Sequence, residues 1–234
     1  MTTSRIPHCL LYIFLFSAFS IEFWKDQNQA IAADIKNSKP QISTFPEKLD
    51  ITCRNGRAKL YDQCGDQYLL FQSALEKARE ERKVLLISYG AEWCIWCHVF
   101  DKYIHGERSF FKYTFGSPED PDTEITAILL ERPQRDVAAE AAALNAYVAD
   151  SFVVLNLEGD FAPNGDKVLN QTGADQYFDD AIPFIFTVNS EGRFAANLDP
   201  IQVETRRDPP QDVYRGYDRE KLIIELSKLY KAAQ

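Results

Sequence analysis

Methionine occurs once, at Met1, and histidine only three times, so a haem centre would have few of its usual axial ligands to draw on. Ten glycines and eleven prolines in 234 residues are too few for a fibrous or low-complexity chain. Long Lys/Arg runs are missing, and 35 acidic residues against 26 basic ones leave a formal net charge of −9. Nothing in such a chain would release counterions from a nucleic-acid backbone, so nucleic acid is not an expected partner. Beyond the first thirty residues no apolar run approaches membrane-spanning length. What is present is 45% apolar and 13% aromatic residues, enough to offset chain entropy and to build the core of one domain, or of one domain plus an extension.

Cys9 to Ile21 is apolar but for Ser17 and Ser20, follows the basic Arg5, and is short for a hydrocarbon core of about 30 Å. It reads as the apolar part of a secretory signal peptide over residues 1–32, with small-x-small cleavage sites at Ala18-Phe19-Ser20 and Ala30-Ile31-Ala32; an uncleaved N-terminal anchor is the alternative. Export makes cysteine pairing informative. Loss of Cys9 leaves Cys53, Cys64, Cys94 and Cys97, which allow three connectivities on paper. Cys94 and Cys97 are close enough to pair locally, which leaves Cys53 with Cys64 as a structural clip on a small polar loop.

Residues 33–66 read as an N-terminal extension, with Pro40 and Pro46 as breakers. From Gln67 to Lys83, Tyr68, Phe71, Leu75 and Ala78 recur at helical spacing. Val84 to Tyr89 is almost wholly apolar, as in a strand buried on both faces. An Ala-rich helix over Asp136 to Asp150 precedes a second such strand, Phe152 to Leu157. Phe184 to Val188 turns at Asn189-Ser190-Glu191-Gly192 into Arg193 to Ala196, a hairpin. Asp218 caps a last helix reaching about Ala232. The alternation predicts an α/β domain.

The chemistry lies where the first buried strand ends, at Ala91-Glu92-Trp93-Cys94-Ile95-Trp96-Cys97-His98. A Cys-x-x-Cys at a strand-to-helix junction puts its first sulfur by unsatisfied amides and the positive end of the helix dipole, which favour a thiolate. Cys94 is therefore the candidate nucleophile. Cys97, three residues on, can attack a mixed disulfide formed on Cys94 and release the substrate.

With Trp93-Cys94-x-x-Cys97 and with Ile182-Pro183 heading the hairpin, the chain resembles the exported members of the thioredoxin superfamily over about residues 67–234. The resemblance implies a central mixed sheet flanked by helices, a cis Pro183 packed against the active disulfide, and contact of Ile182 with substrate. It also implies thiol–disulfide exchange with exported proteins, in the periplasm or outside the cell, with a second thiol–disulfide protein as electron donor or acceptor. No bound cofactor is expected, since electrons pass through the cysteines. The chain end Lys231-Ala232-Ala233-Gln234 carries no ER-retrieval signal, which favours a periplasm over an ER lumen. Two departures stand out. The buried acid that many members place six residues before the first cysteine is here Ser88, with Glu92 and His98 as candidates to tune the thiol pKa in its stead. Residues 106–135 exceed what one connection requires and read as an insertion, with Phe110, Phe111, Tyr113 and Phe115 as a satellite core or a substrate rim.

Trp93 is expected to cover the disulfide. The alternative for His98 and Glu92 is exposure without a role. Three rival readings remain. Cys94-Ile95-Trp96-Cys97-His98 is also a c-type haem attachment sequence. A non-catalytic binding module on the same fold is another. A zinc site over the four cysteines is weakest, because ten residues between Cys53 and Cys64 do not make a knuckle. The acidic run Glu158 to Asp166 lacks a calcium-loop pattern and reads as a solvated turn.

Overall fold

The computed structural model describes residues 39–107, 111–116, 124–129, 137–207 and 214–234. The chain divides into two units, Met1–Lys39 and Pro40–Gln234, and only Lys39 of the first lies among the described residues. The expected signal peptide and the alternative anchor both fall outside them. No helix among the described residues is long and apolar enough to cross a membrane.

Along Pro40–Gln234 the order is β1 (Ser43–Phe45), α1 (Gln67–Glu81), β2 (Val84–Gly90), α2 (Ile95–Ile104), β3 (Phe111–Gly116), β4 (Glu124–Leu129), α3 (Val137–Ser151), β5 (Phe152–Glu158), α4 (Gly165–Thr172), β6 (Phe184–Val188), β7 (Phe194–Asn197), α5 (Pro200–Val203), β8 (Glu204–Arg207), β9 (Tyr214–Tyr217) and α6 (Arg219–Ala232). The main sheet runs β1-β5-β2-β6-β7. β5 is parallel to both β1 and β2, whereas β6 is antiparallel to β2 and to β7. This mixed sheet with helices on both faces is thioredoxin-like.

Alternation along the central strands feeds two cores. Val84, Leu86, Phe152, Val154 and Ile185 pack against α2, α3 and α6 through Phe100, Ile104, Leu144, Val148, Leu222 and Leu226. Leu85, Ile87, Val153, Leu155 and Phe186 face the other way, onto Phe71, Leu75 and Ala78 of α1 and Val168 and Leu169 of α4. Burial of each such side chain contributes about 1.5–3 kcal/mol, which is why β2 and β5, buried at every position, read as nearly continuous apolar runs.

Helix limits follow local chemistry. Asp66 caps α1 by accepting from the Tyr68 and Leu69 amides. The helix stops at Glu81, two residues before the sequence reading, because Arg82 adopts a left-handed φ of 56° and returns its amide to Ala78 and Arg79. Asp218 caps α6 through the Lys221 amide at 3.1 Å. Residues 106–135 contain an antiparallel pair, β3 with β4, in register from Phe111 opposite Leu129 to Gly116 opposite Glu124. The aromatic cluster expected there lies, as side chains, outside the described residues. A second small pair, β8 with β9, carries Tyr217, whose ring meets the edges of Trp96, Phe100 and Tyr103 at centroid distances of 5.6, 5.8 and 5.5 Å.

The extension is not merely packed on the domain. β1 supplies an edge strand, with Ser43, Thr44 and Phe45 opposite Val153, Val154 and Leu155, and Tyr61 is fully buried. Three residues, two of them polar, in a breaker-rich stretch carry too little periodicity to be read as a strand.

Candidate active site

β2 ends at Gly90, and the chain crosses Ala91 to Trp93 before α2 begins with Cys94 as its cap. The Cys94 sulfur accepts from the Cys97 amide at 3.2 Å, so the first cysteine sits in the place an Asp or Ser side chain takes at other helix starts. Cys94 and Cys97 form a disulfide with Cα atoms 5.3 Å apart. Both are buried, Cys94 retaining 4% exposure and Cys97 1%. They cluster with Tyr61, and Leu60, Trp93, Trp96 and Ile182 pack round the group. The Ile182–Pro183 peptide is cis. The Cys53–Cys64 disulfide closes the loop that carries Lys59, Leu60 and Tyr61.

Glu92 and His98 are both buried, not exposed. One Glu92 oxygen accepts from the Lys59 amide and the other from the Leu60 and Tyr61 amides, each at 3.0 Å. Burial pushes this carboxyl above its usual range while the three amides pull it back. Glu92 is thus the staple that fixes residues 59–61 beside the disulfide, and its lone pairs are engaged in that task. His98 Nε2 lies 2.8 Å from the Glu92 carbonyl oxygen; a carbonyl only accepts, so Nε2 carries the proton. Burial lowers the His98 pKa to about 4, partly opposed by that same hydrogen bond. The ring is therefore neutral near pH 7, and its 3.5 Å approach to Glu92 Oε1 is no ion pair. A protonated His98 stabilising the Cys94 thiolate does not fit this environment. For a haem iron His98 would have only Nδ1 to offer, since Nε2 is spent on the Glu92 carbonyl.

Trp93 is half-buried against the disulfide, and its Nε1 donates to Asp160 Oδ2 at 2.6 Å. The turn holding Asp160 is organised by Glu158, which has no solvent exposure and was hidden in what read as a solvated acidic loop. Its Oε1 accepts from the Asp160 and Phe161 amides at 3.0 and 3.3 Å, and its Oε2 from the Glu92 amide at 3.1 Å. Desolvation raises its pKa to about 7 despite those three amides. Gln67, also fully buried, accepts from the Glu158 amide at 2.9 Å and donates to Asp62 and Gly65 carbonyls. A single carboxylate thereby holds both the approach to Cys94 and the partner of Trp93. No cluster of His, Cys, Asp and Glu suited to a metal ion occurs among the described residues.

Sequence reasoning missed Tyr61, Gln67 and Glu158. Tyr61 and Gln67 stand in polar stretches, and the only hint for Glu158 was that it directly continues an apolar strand, opposite Gly90.

The family model Thioredox_DsbH, described as a protein of unknown function (DUF255), matches residues 61–113, a span that includes Tyr61, Glu92, Cys94 and Cys97. A solved structure described as a disulphide isomerase from Xylella fastidiosa Temecula1 is 22% identical, with 58% of this chain and 76% of that one covered and a TM-score of 0.35. No curated protein matches.

Proposed function

We propose that this chain is a thiol–disulfide oxidoreductase of the thioredoxin superfamily acting on exported proteins. The observation that carries the proposal is the capping of α2 by the Cys94 sulfur, with Cys97 disulfide-bonded to it. In the reduced protein the same amide and the helix dipole favour a Cys94 thiolate. That thiolate attacks a substrate disulfide, forms a Cys94–substrate disulfide and expels one substrate thiolate. Cys97, as thiolate, then attacks the Cys94 sulfur; the second substrate sulfur leaves as a thiolate that takes a proton, and the Cys94–Cys97 disulfide closes. Two electrons have moved to the substrate. The reverse sequence oxidises a dithiol, and a second thiol–disulfide protein resets the pair.

With so little of Cys94 exposed, substrate is proposed to enter where Trp93 and Ile182–Pro183 border the disulfide, its backbone running beside Ile182. No resident cofactor is part of this scheme. A periplasmic or otherwise exported location is part of this proposal, supported by the signal-like segment and by two disulfides that a reducing cytosol would open. Cys94→Ser is expected to abolish reduction of a model disulfide protein, and Cys97→Ser to accumulate mixed disulfides visible on non-reducing gels. Equal turnover by both variants would rule the mechanism out.

A further inference from the structure

We propose that Tyr61 is a positioning residue for Cys97, its phenol hydroxyl being the group that meets the resolving sulfur when the disulfide opens; this rests on the exchange reaction above. The evidence is a convergence at Gly90. A methyl placed on Gly90 would lie 2.5 Å from Cys97 Sγ and 2.8 Å from Tyr61 Oη, so sulfur and hydroxyl share the space left by the missing side chain. Tyr61 is fully buried, and its Oη is 3.3 Å from Ser88 Oγ, the hydroxyl on the strand directly beneath. Ser88 can donate to Tyr61, and Tyr61 to a Cys97 thiolate, with no net movement of a proton.

Such a donor is needed at this sulfur. At 1% exposure Cys97 cannot be solvated as a thiolate, and burial without a donor would keep it a sluggish thiol. Charge-assisted hydrogen bonds are about twice as strong as neutral ones. The ionisable groups about Tyr61 do not supply that donor. Glu92, Glu158 and Asp101 bear on it with acidic charge, and His98, whose ring is 6.4 Å away edge-on, commits its Nε2 proton to the Glu92 carbonyl. Burial holds the Tyr61 hydroxyl protonated, which a donor requires. Its position is fixed from two sides, by the Leu60 and Tyr61 amides on Glu92 and by the Cys53–Cys64 disulfide around the loop.

The test is the thiolate titration of Cys97 in Cys94→Ser protein, by ultraviolet absorbance, with and without Tyr61→Phe, which keeps the ring and removes only the oxygen. The expected result is an upward shift of the Cys97 midpoint by about one pH unit, a roughly tenfold loss of thiolate at neutral pH. Unchanged midpoints would overturn the proposal. Should Cys94→Ser not fold, the pH profile of mixed-disulfide release is compared between the two-cysteine protein and its Tyr61→Phe variant, where the same upward shift supports the proposal and superimposable profiles overturn it. The titration needs no turnover, so protein inactive in exchange but showing the Tyr61-dependent midpoint would count against the oxidoreductase reading alone.

Discussion

Gly90 earns its place by what lies against it. Gly90→Ala would force a methyl onto Cys97 Sγ and Tyr61 Oη at 2.5 and 2.8 Å, and overpacking of this kind costs about 1–3 kcal/mol. Urea unfolding of the oxidised variant should show that loss. Two buried titratable groups set opposite pH dependences. His98 has its pKa lowered to about 4 from 6.5, so between those values the unfolded chain binds more protons; stability present above pH 6.5 is lost as pH falls through the window. Glu158 has its pKa raised to about 7 from 4.5, so there the folded state binds more protons; its contribution, full below 4.5, is lost as pH rises to 7. Each slope is bounded by about 1.4 kcal/mol per pH unit. Urea midpoints across pH 4 to 8 should therefore rise more weakly on the acid side in His98→Gln, and fall less toward neutrality in Glu158→Gln. A Glu158→Gln curve parallel to that of the parent would show that Glu158 titrates elsewhere.

Among the elements, those with sustained periodicity were legible in the sequence. The helix from Gln67, the buried strands at Val84 and Phe152, the hairpin after Pro183 and the helix capped by Asp218 stand where the spacing predicted them, within a residue or two. Less was legible where polar residues do the holding. Glu92 looks like a surface acid in sequence because nothing near it announces that three amides from residues 59–61 converge on its oxygens. The short strand β1 and the helix α4 lack a long apolar pattern and leave as little signal. The 53–64 clip connects these levels. Replacing both Cys53 and Cys64 by Ser restores chain entropy to the unfolded state across a separation of 11 residues, a loss of about 3 kcal/mol on the loop-closure relation. Thermal unfolding should register it, and the Cys97 thiolate midpoint should move with it if the clip holds Tyr61.

At the scale of the whole molecule, the extension from Pro40 and the domain read from residue 67 onward form one unit, Pro40–Gln234. Because β1 completes the sheet edge and Tyr61 fills the site, a chain starting at Pro40 is expected to retain cooperative unfolding and both disulfides. One starting at Gln67 should lose cooperativity, and circular dichroism melts of the two would separate these outcomes. The overall architecture could be anticipated from sequence because strand alternation and helix spacing are local signals. The fusion of extension and site could not, since it depends on hydrogen bonds between residues about thirty positions apart. The two disulfides also carry a consequence for how the chain is made. From Cys53 onward each cysteine is joined to the next one in line, first to second and third to fourth. During synthesis from the N-terminus, an oxidising enzyme that links thiols as they emerge would build the native pattern directly, with no shuffling of misplaced bonds afterward.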